Sequence, residues 1–339
     1  MTDERWMVRA LELAAQGPWP DPNPRVGCVL VDPTGAVVAE GYHRGAGTPH
    51  AEAAALAEAG KRARGSTAYV TLEPCAHTGR TGPCAPALAA AGVATVVYAQ
   101  ADPNATAAGG AEILRRAGLR VSGGCLADEA AALNERWART VRLGRPLVTW
   151  KFAATLDGRS AAADGTSQWV TGAGSRADVH RLRATRDAVL VGTGTVLTDD
   201  PRLTVRDGDR PLARQPLRVV MGKRPVPADA RVHHGPGSVA VLPTHDPEEA
   251  LASLWDKGIR DVWLEGGPTL AAAFLRAGLV DEVYAYLAPA LLGAGAPAVG
   301  DLGITTMAGI RRLSTSDVRA IGDDVRIHAV TADPADAEE

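Results

Sequence analysis

The sequence predicts an α/β protein built as two successive domains, and three observations carry that expectation. Strand-like and helix-like segments alternate along nearly the whole chain, the pattern of layered α/β folds. The alternation is interrupted at Gly144-Arg145-Pro146 and restarts at Leu147. A chain of 339 residues also exceeds the usual size of one domain. The expected domains are residues 1–144 and 145–330, with a disordered tail from Thr331 on.

In the first half, Arg5 to Gln16 carries apolar residues at helical spacing and stops at Gly17-Pro18. Val26–Val31 and Val37–Tyr42 read as strands joined by a Pro33-Thr34-Gly35 turn. The Ala-, Leu- and Glu-rich stretch His50–Ala63 predicts a helix starting near Thr48-Pro49. Strands follow at Ala68–Leu72, Ala94–Ala99 and Leu119–Ser122, with helices at Pro86–Ala91 and Ala111–Ala117. Leu126–Leu143 reads as one helix. In the second half, strands are expected at Leu147–Ala153, Ala188–Val191, Leu217–Val220, Ser238–Leu242, Asp261–Leu264 and Glu282–Leu287. Helices are expected at Ser175–Ala184, Pro247–Lys257 and Thr269–Arg276, with loops at Asp207–Pro216 and Lys223–Gly237. There is no internal repeat.

A hydrophobic fraction of 46% and a charged fraction of 22% are ordinary for a globular protein. The net charge of −3 argues against a general nucleic-acid binder, which carries a basic face. No stretch reaches the roughly 18–20 apolar residues that span a membrane, and the N-terminus has no signal-peptide run. Four cysteines are too few to staple a chain this long, so metal binding is the better reading and a cytoplasmic location is expected.

The densest chemistry lies in His50-Ala51-Glu52, Pro74-Cys75 and Cys84. One His and two Cys hold a zinc ion with its fourth position left to water, which is what separates catalytic from structural zinc. Glu52, two residues past the His, is placed to shuttle protons without ligating. Alone, His50 is more often a capping or buried histidine, and Cys75 and Cys84 are more often buried thiols. The joint pattern reverses those readings, because His-x-Glu followed by Pro-Cys and a further Cys is the signature of zinc-dependent nucleobase deaminases. Eight residues separate Cys75 from Cys84, where that signature has two.

Asn23-Pro24-Arg25-Val26-Gly27, Gly41-Tyr42-His43, Pro49-His50-Ala51-Glu52 and the loop from Thr71 to Cys84, with His77-Thr78-Gly79-Arg80-Thr81 inside it, resemble the deaminase half of the bifunctional riboflavin-biosynthesis deaminase/reductase family. The resemblance implies a cytidine-deaminase-like three-layer domain in which Asn23 contacts the pyrimidine. It also implies that the region of His77, Arg80 and Asn104 receives the ribose phosphate. For His77 alone, a loop-stabilising role is as natural. Two departures from the family stand out. Gly82 replaces a usual Pro, and Ala108-Gly109-Gly110-Ala111 runs one residue short after Asp102-Pro103-Asn104.

The second half has no Gly-x-Gly-x-x-Gly after a strand. It has two glycine-containing strand exits, Gly192-Thr193-Gly194-Thr195 and Glu265-Gly266-Gly267-Pro268-Thr269-Leu270. Glycines at a helix start let backbone N–H groups approach a phosphate, although a bare Gly-Gly is more often a tight turn. Lys151–Arg159, Ser167–Thr171, Leu182–Ala184 and Thr195–Pro201 resemble the same family's reductase half, which is dihydrofolate-reductase-like and uses NADPH. The resemblance therefore spans about residues 1–330. It implies that Ala153, Trp169, Thr195, Asp199 and the segment Gly267, Pro268, Thr269, Leu270, Ala271, Ala272 and Ala273 face NADPH. Ser167, Arg183, Leu203, Arg206 and Glu265 are implied to face the substrate. Arg183 and Arg206 suit a phosphate clamp, because guanidinium pairs bidentately with phosphate oxygens, although most surface arginines are merely solvated. Lys151 is expected to polarise or protonate the reacting sugar. One departure is Val220-Met221-Gly222-Lys223 in place of a usual Asp-Ser, where Lys223 is left to meet the cofactor's 2′-phosphate.

The resemblance implies zinc-dependent deamination of 2,5-diamino-6-(5-phosphoribosylamino)pyrimidin-4-one, followed by NADPH-dependent reduction of the ribosyl group to ribityl. The expected partners are that phosphorylated pyrimidine and further copies of the chain in a homo-oligomer, with no nucleic acid and no membrane. Two competing readings are a deaminase whose second domain has lost reduction, and a zinc-stabilised binding module without chemistry. The second of these requires a closed four-ligand site.

Overall fold

The structure is a computed structural model and describes residues 3–77 and 82–331. The chain divides into two compact units, Met1–Gly144 and Arg145–Glu339.

The first unit contains α1 (Asp3–Ala14), β1 (Gly27–Val31), β2 (Val37–Tyr42), α2 (Ala51–Ala59), β3 (Thr67–Leu72), α3 (Cys84–Ala90), β4 (Thr95–Gln100), α4 (Gly110–Arg116), β5 (Arg120–Gly123), α5 (Ala127–Leu133) and α6 (Glu135–Leu143). Its five strands run in the order β2-β1-β3-β4-β5. β1 is antiparallel to β2 and β3, while β3, β4 and β5 are parallel. Every residue of β1 is buried, so its alternating side chains serve two cores. Cys28 and Leu30 pack with Ala51 and Ala55 of α2 and Leu88 of α3. Val29 and Val31 pack with Met7 and Ala10 of α1 and Ala130 of α5. Helices on both faces of one sheet make three layers.

The single helix expected over Leu126–Leu143 is two. Asn134 breaks it at φ −112° and ψ 15°, because its buried amide is committed elsewhere. Its Oδ1 accepts from the Arg25 N–H and its Nδ2 donates to the Arg25 carbonyl, both at 2.9 Å. This tertiary clamp outweighs the continuous helical pattern. The expected helix from His50 ends at Ala59 and continues as a 3₁₀ turn over Gly60–Ala63.

The second unit contains β6 (Leu147–Thr155), α7 (Ala173–Arg183), β7 (Ala188–Gly192), α8 (Thr193–Asp199), the short pair β8 (Arg206–Asp207) and β9 (Arg210–Pro211), β10 (Leu217–Met221), β11 (Val239–Leu242), α9 (Pro247–Asp256), β12 (Asp261–Leu264), α10 (Pro268–Arg276), β13 (Glu282–Ala288), β14 (Leu313–Ile321) and β15 (Asp324–Thr331). Eight strands form one sheet in the order β11-β10-β7-β12-β6-β13-β15-β14. It is parallel from β11 to β13 and antiparallel from β13 to β14. Ala188 and Leu190 of β7 face a core with Leu251, Leu254 and Phe274, whereas Val189 and Val191 face Val179, Leu182 and Val196.

Five elements here went unread in the sequence: α8, the short pair β8 and β9, which fall at and within the expected loop Asp207–Pro216, and the hairpin strands β14 and β15. Thr331 closes β15, donating from its N–H to the Asp281 carbonyl. The rest of the expected disordered tail, 332–339, lies outside the described residues. Among the described residues no helix is long and apolar enough to cross a membrane.

Candidate active sites

His50 is the residue that precedes α2, extended at φ −65° and ψ 160°. Its backbone thus leaves the strand layer just as the helix begins. Cys75 lies three residues beyond β3, and Cys84 opens α3. The ligand atoms of the three all lie within 4.8 Å of one another. His50 Nδ1 is 3.6 Å from Cys75 Sγ and 3.3 Å from Cys84 Sγ, and the Cys84 N–H donates to Cys75 Sγ at 3.4 Å. The hydrogen bond from Cys84 holds Cys75 well below the usual thiol range, and Cys84 is raised in turn. The hydrogen bond to Cys75 raises His50.

Two thiolates and an imidazole fit zinc, and among the described residues no fourth ligand atom joins the cluster. That disfavours a closed structural site. Glu52, in the first turn of α2, is only 4% exposed. Burial pushes its carboxyl up to about 7 and the Cys75 charge adds to that effect, against the pull of His50. A carboxyl so placed exchanges protons near neutral pH.

Asn23 donates from Nδ2 to His43 Nε2 at 3.1 Å, and His43 Nδ1 lies 3.0 Å from the Pro49 carbonyl. This pair of bonds assigns the Nδ1–H tautomer to His43, whose ring meets that of His50 edge-on at 5.6 Å. Asn23 is thereby fixed beside the ligand histidine. His77 follows Cys75 by two residues, and its buried Nδ1 has no partner among the described residues. Asn104 sits in the loop after β4, which docks on the cysteine loop through Ala76 N–H to the Ala107 carbonyl at 2.9 Å. Arg80 lies outside the described residues.

Glu73 organises this loop, a role its sequence context did not reveal. Its carboxylate accepts from the N–H groups of Gly109, Ala111 and Asp102, at 3.2, 2.9 and 3.4 Å. It thereby caps the start of α4 and holds the Asn104 segment against Cys75.

The second unit has a cavity of about 880 Å³ at the carboxyl ends of its parallel strands. Open α/β sheets bind ligands at that edge. Of the expected residues, Lys151, Ala153, Ser167, Thr195, Asp199, Glu265, Gly267, Pro268, Thr269, Leu270 and Ala273 line it. The first turn of α10 has no side-chain cap, so its N–H groups are open to a phosphate. A cavity of this size beside an uncapped helix start suits a dinucleotide.

The remaining expected residues stand elsewhere. Ala271 is part of the buried core, Ala272 is 1% exposed, and neither lines the cavity. Leu203 is likewise 5% exposed within the core, at φ 56°. Trp169 is 68% exposed, with the Arg176 guanidinium 4.6 Å over its ring. Arg183 is committed to a bidentate pair with Glu265 rather than standing free as a clamp. Trp263 Nε1 also donates to Glu265. Burial alone would raise this carboxyl, but Arg183 and Lys151 hold it at about 2. Burial pushes the Lys151 ammonium down, with Glu265 opposing and Arg183 assisting. Arg206, on β8, has a buried Nε without a partner among the described residues. His180 on α7 is driven down to about 4 by burial and by the charges of Arg183 and Arg206.

Gly222 explains one departure from the family pattern. Its φ is 139°, and a Cβ there would stand 2.6 Å from Thr193 Oγ1. Lys223 is exposed and does not line the cavity, whereas the next residue, Arg224, does.

These features define a three-layer deaminase unit with a catalytic-type His/Cys/Cys metal centre, followed by an α/β unit with a dinucleotide-sized cleft. Comparison with known proteins agrees. Residues 1–100 match the cytidine and deoxycytidylate deaminase zinc-binding region, and residues 146–327 match the RibD C-terminal domain. The chain is 51% identical to the riboflavin biosynthesis protein RibD of Mycobacterium tuberculosis over 312 residues, 91% of each chain. It is 42% identical to that of Escherichia coli, over 98% of this chain and all of that one. Among solved structures, Acinetobacter baumannii RibD superposes with a TM-score of 0.84 at 40% identity, covering 97% of this chain and 99% of that one. A deaminase/reductase from Thermotoga maritima gives 0.79 at 33% identity, with the same coverage.

The chain belongs to the RibD family of riboflavin-biosynthesis proteins. It joins a zinc-binding deaminase unit to a reductase unit of the type that uses NADPH.

Proposed function

We propose that the chain converts 2,5-diamino-6-(5-phosphoribosylamino)pyrimidin-4-one in two steps, deamination at C2 and then reduction of the ribosyl group to ribityl. The observation that carries the reading is Glu52, buried in the first turn of α2 two residues past His50, which clusters with Cys75 and Cys84 while Glu52 stays outside the ligand set. Zinc held by His50, Cys75 and Cys84 supplies Lewis acidity that brings the pKa of water toward 7. Glu52 accepts the water proton and returns it to the departing ammonia, general acid–base work suited to a group poised near the working pH. Asn23, locked by His43, orients the pyrimidine, and the His77, Arg80 and Asn104 region receives the ribose phosphate.

In the second unit NADPH supplies the hydride. Lys151, its ammonium buried against Glu265, donates a hydrogen bond or proton to the sugar oxygen as the ring opens. Arg206 meets the substrate phosphate. Arg183 acts through Glu265, which it holds ionised. Ser167 Oγ, 3.4 Å from Asp199 Oδ1, stands between the cofactor and substrate sides.

The test is a coupled assay on the zinc-loaded chain. Ammonia release from the diaminopyrimidine should precede NADPH oxidation, and the oxidation should depend on the deaminated product. Ammonia release without NADPH oxidation would leave a deaminase only.

A cytoplasmic location and self-association complete the proposal. Leu291, Met307 and Val318, 75%, 77% and 58% exposed, are apolar side chains on the edge strand β14 and the segment before it, each open to a second copy. Light scattering that returns the mass of one chain would remove the self-association.

A further inference from the structure

We propose that Asp324, on the hairpin of β14 and β15, is a positioning residue for the reduction: it clamps the first turn of α7 and so sets where the substrate-side groups at both ends of that helix stand. This rests on the reading that the cleft of the second unit reduces the phosphorylated sugar.

The start of α7 has no cap of its own. Gly172 precedes the helix at φ −68° and ψ 172°, and as a glycine it has no side chain to offer. In a capping box, the residue at the third helical position reaches back to the N–H of the cap residue. Here the third position is Ser175, and Asp324 spans the two from 152 positions beyond Gly172. Its Oδ2 accepts from the Gly172 N–H at 2.8 Å and from the Ser175 hydroxyl at 2.6 Å. Asp324 and Ser175 are both buried, which shields these bonds from water. A carboxylate at this end also meets the positive pole of the helix.

The same hairpin grips α7 at two further points. One turn on, Arg326 of β15 donates from Nη1 to Asp178 Oδ2 at 2.9 Å, and the Tyr286 hydroxyl donates to that oxygen at 2.7 Å. Ile321 Cγ2, at the end of β14, lies 3.2 Å from where a Cβ on Gly174 would stand.

What α7 carries gives this clamp its consequence. In its first turn, Arg176 donates to the Thr171 carbonyl at 2.7 Å and lies over the Trp169 ring, tying down the segment that leads from Ser167. At its last residue, Arg183 holds Glu265. Ser167 and Glu265 both line the cleft, on the side assigned to the sugar. The lining residues expected to meet NADPH stand mostly on other elements, with Thr195 and Asp199 on α8 and Gly267 to Leu270 at the start of α10. A displaced α7 therefore disturbs the sugar before it disturbs the cofactor.

The experiment separates positioning from support of the fold. Zinc-loaded wild type, Asp324→Ala, Asp324→Asn and Ser175→Ala are assayed by NADPH oxidation with the deaminated product as substrate, below the melting temperature of each. NADPH affinity is read separately by fluorescence titration. Small displacements of positioning groups are costly, so Asp324→Ala should raise KM for the substrate about tenfold or more, with NADPH affinity within about twofold. Asp324→Asn keeps an oxygen for both donors and should stay within about threefold of wild type. Ser175→Ala removes one of the two bonds and should raise KM about two- to tenfold, which carries the test if Asp324→Ala does not fold. Wild-type KM in both alanine variants, with only the melting temperature lowered, overturns the positioning role. So does equal weakening of substrate and NADPH, or an Asn variant no better than Ala. Wild type that oxidises no NADPH with this substrate removes the reductase reading itself, and the inference with it.

Discussion

A Cβ on Gly110 would stand 1.6 Å from the carbonyl oxygen of Pro74. The first turn of α4 thus lies directly on the backbone that leads into Cys75. Glu73 binds the two together through the Gly109 and Ala111 N–H groups. The shortened Ala108-Gly109-Gly110-Ala111 segment is therefore part of the support of the metal centre. Gly110→Ala must push α4 away from the cysteine loop, an overpacking that costs at least about 1–3 kcal/mol. The expected result is a lower melting temperature and less than one zinc per chain, with NADPH affinity unchanged. A variant with wild-type melting and full zinc would show that the contact is slack.

Glu52 distinguishes catalysis from metal support. It is not a member of the ligand cluster, so Glu52→Ala should keep about one zinc per chain while ammonia release falls by about 10²- to 10⁴-fold. Glu52→Gln, close in size, controls for packing and should lose as much. Metal analysis beside the ammonia assay decides the matter. Loss of zinc in both variants would make Glu52 a ligand.

What the sequence made legible follows from how local each signal is. His50, Cys75 and Cys84 could be read directly because each lies in a short run whose spacing reflects the chemistry. The buried strands of the second sheet showed as apolar runs such as Ala188–Val191. β14 could not be seen this way. Seven of its nine residues are exposed, so no alternation marks it, and it forms by pairing with β15. The break at Asn134 depends on Arg25, 109 residues away. Lys223 and Arg224 are adjacent, and nothing in the sequence shows which side chain lines the cleft; in the structure Arg224 does. The pairing of Arg183 with Glu265 joins α7 to the residue after β12, 82 positions away, and shows only in three dimensions.

That pairing separates the two arginines. The Arg183 and Glu265 side chains are 13% and 11% exposed, so Arg183→Ala strands a nearly buried carboxylate beside Lys151. Breaking a buried pair by removing one partner costs about 3–5 kcal/mol. Arg183→Ala should therefore unfold the second unit at lower denaturant. Arg206→Ala, which breaks no ion pair among the described residues, should instead raise KM for the phosphorylated substrate about tenfold or more at near-native stability. Equal stability losses in both variants would return Arg183 to the role of a free clamp.

His180 should make the second unit sensitive to mild acid. Burial, then Arg183 and Arg206, with Lys151 also repelling and Glu265 opposing, hold its folded pKa at about 4, against about 6.5 in an unfolded chain. Between those values the unfolded state binds the extra proton, so stability falls as pH drops. The contribution of neutral His180 is complete above about pH 6.5 and lost as pH falls through about 4. Asp187 in the same unit, which burial pushes up to about 6, works in the opposite direction. The comparison must therefore be with His180→Asn, where every other group cancels. Denaturant unfolding at pH 7.5 and pH 5 should show wild type losing stability relative to the variant on acidification. A difference between the two proteins that does not change with pH would mean that His180 is already free to ionise in the folded protein.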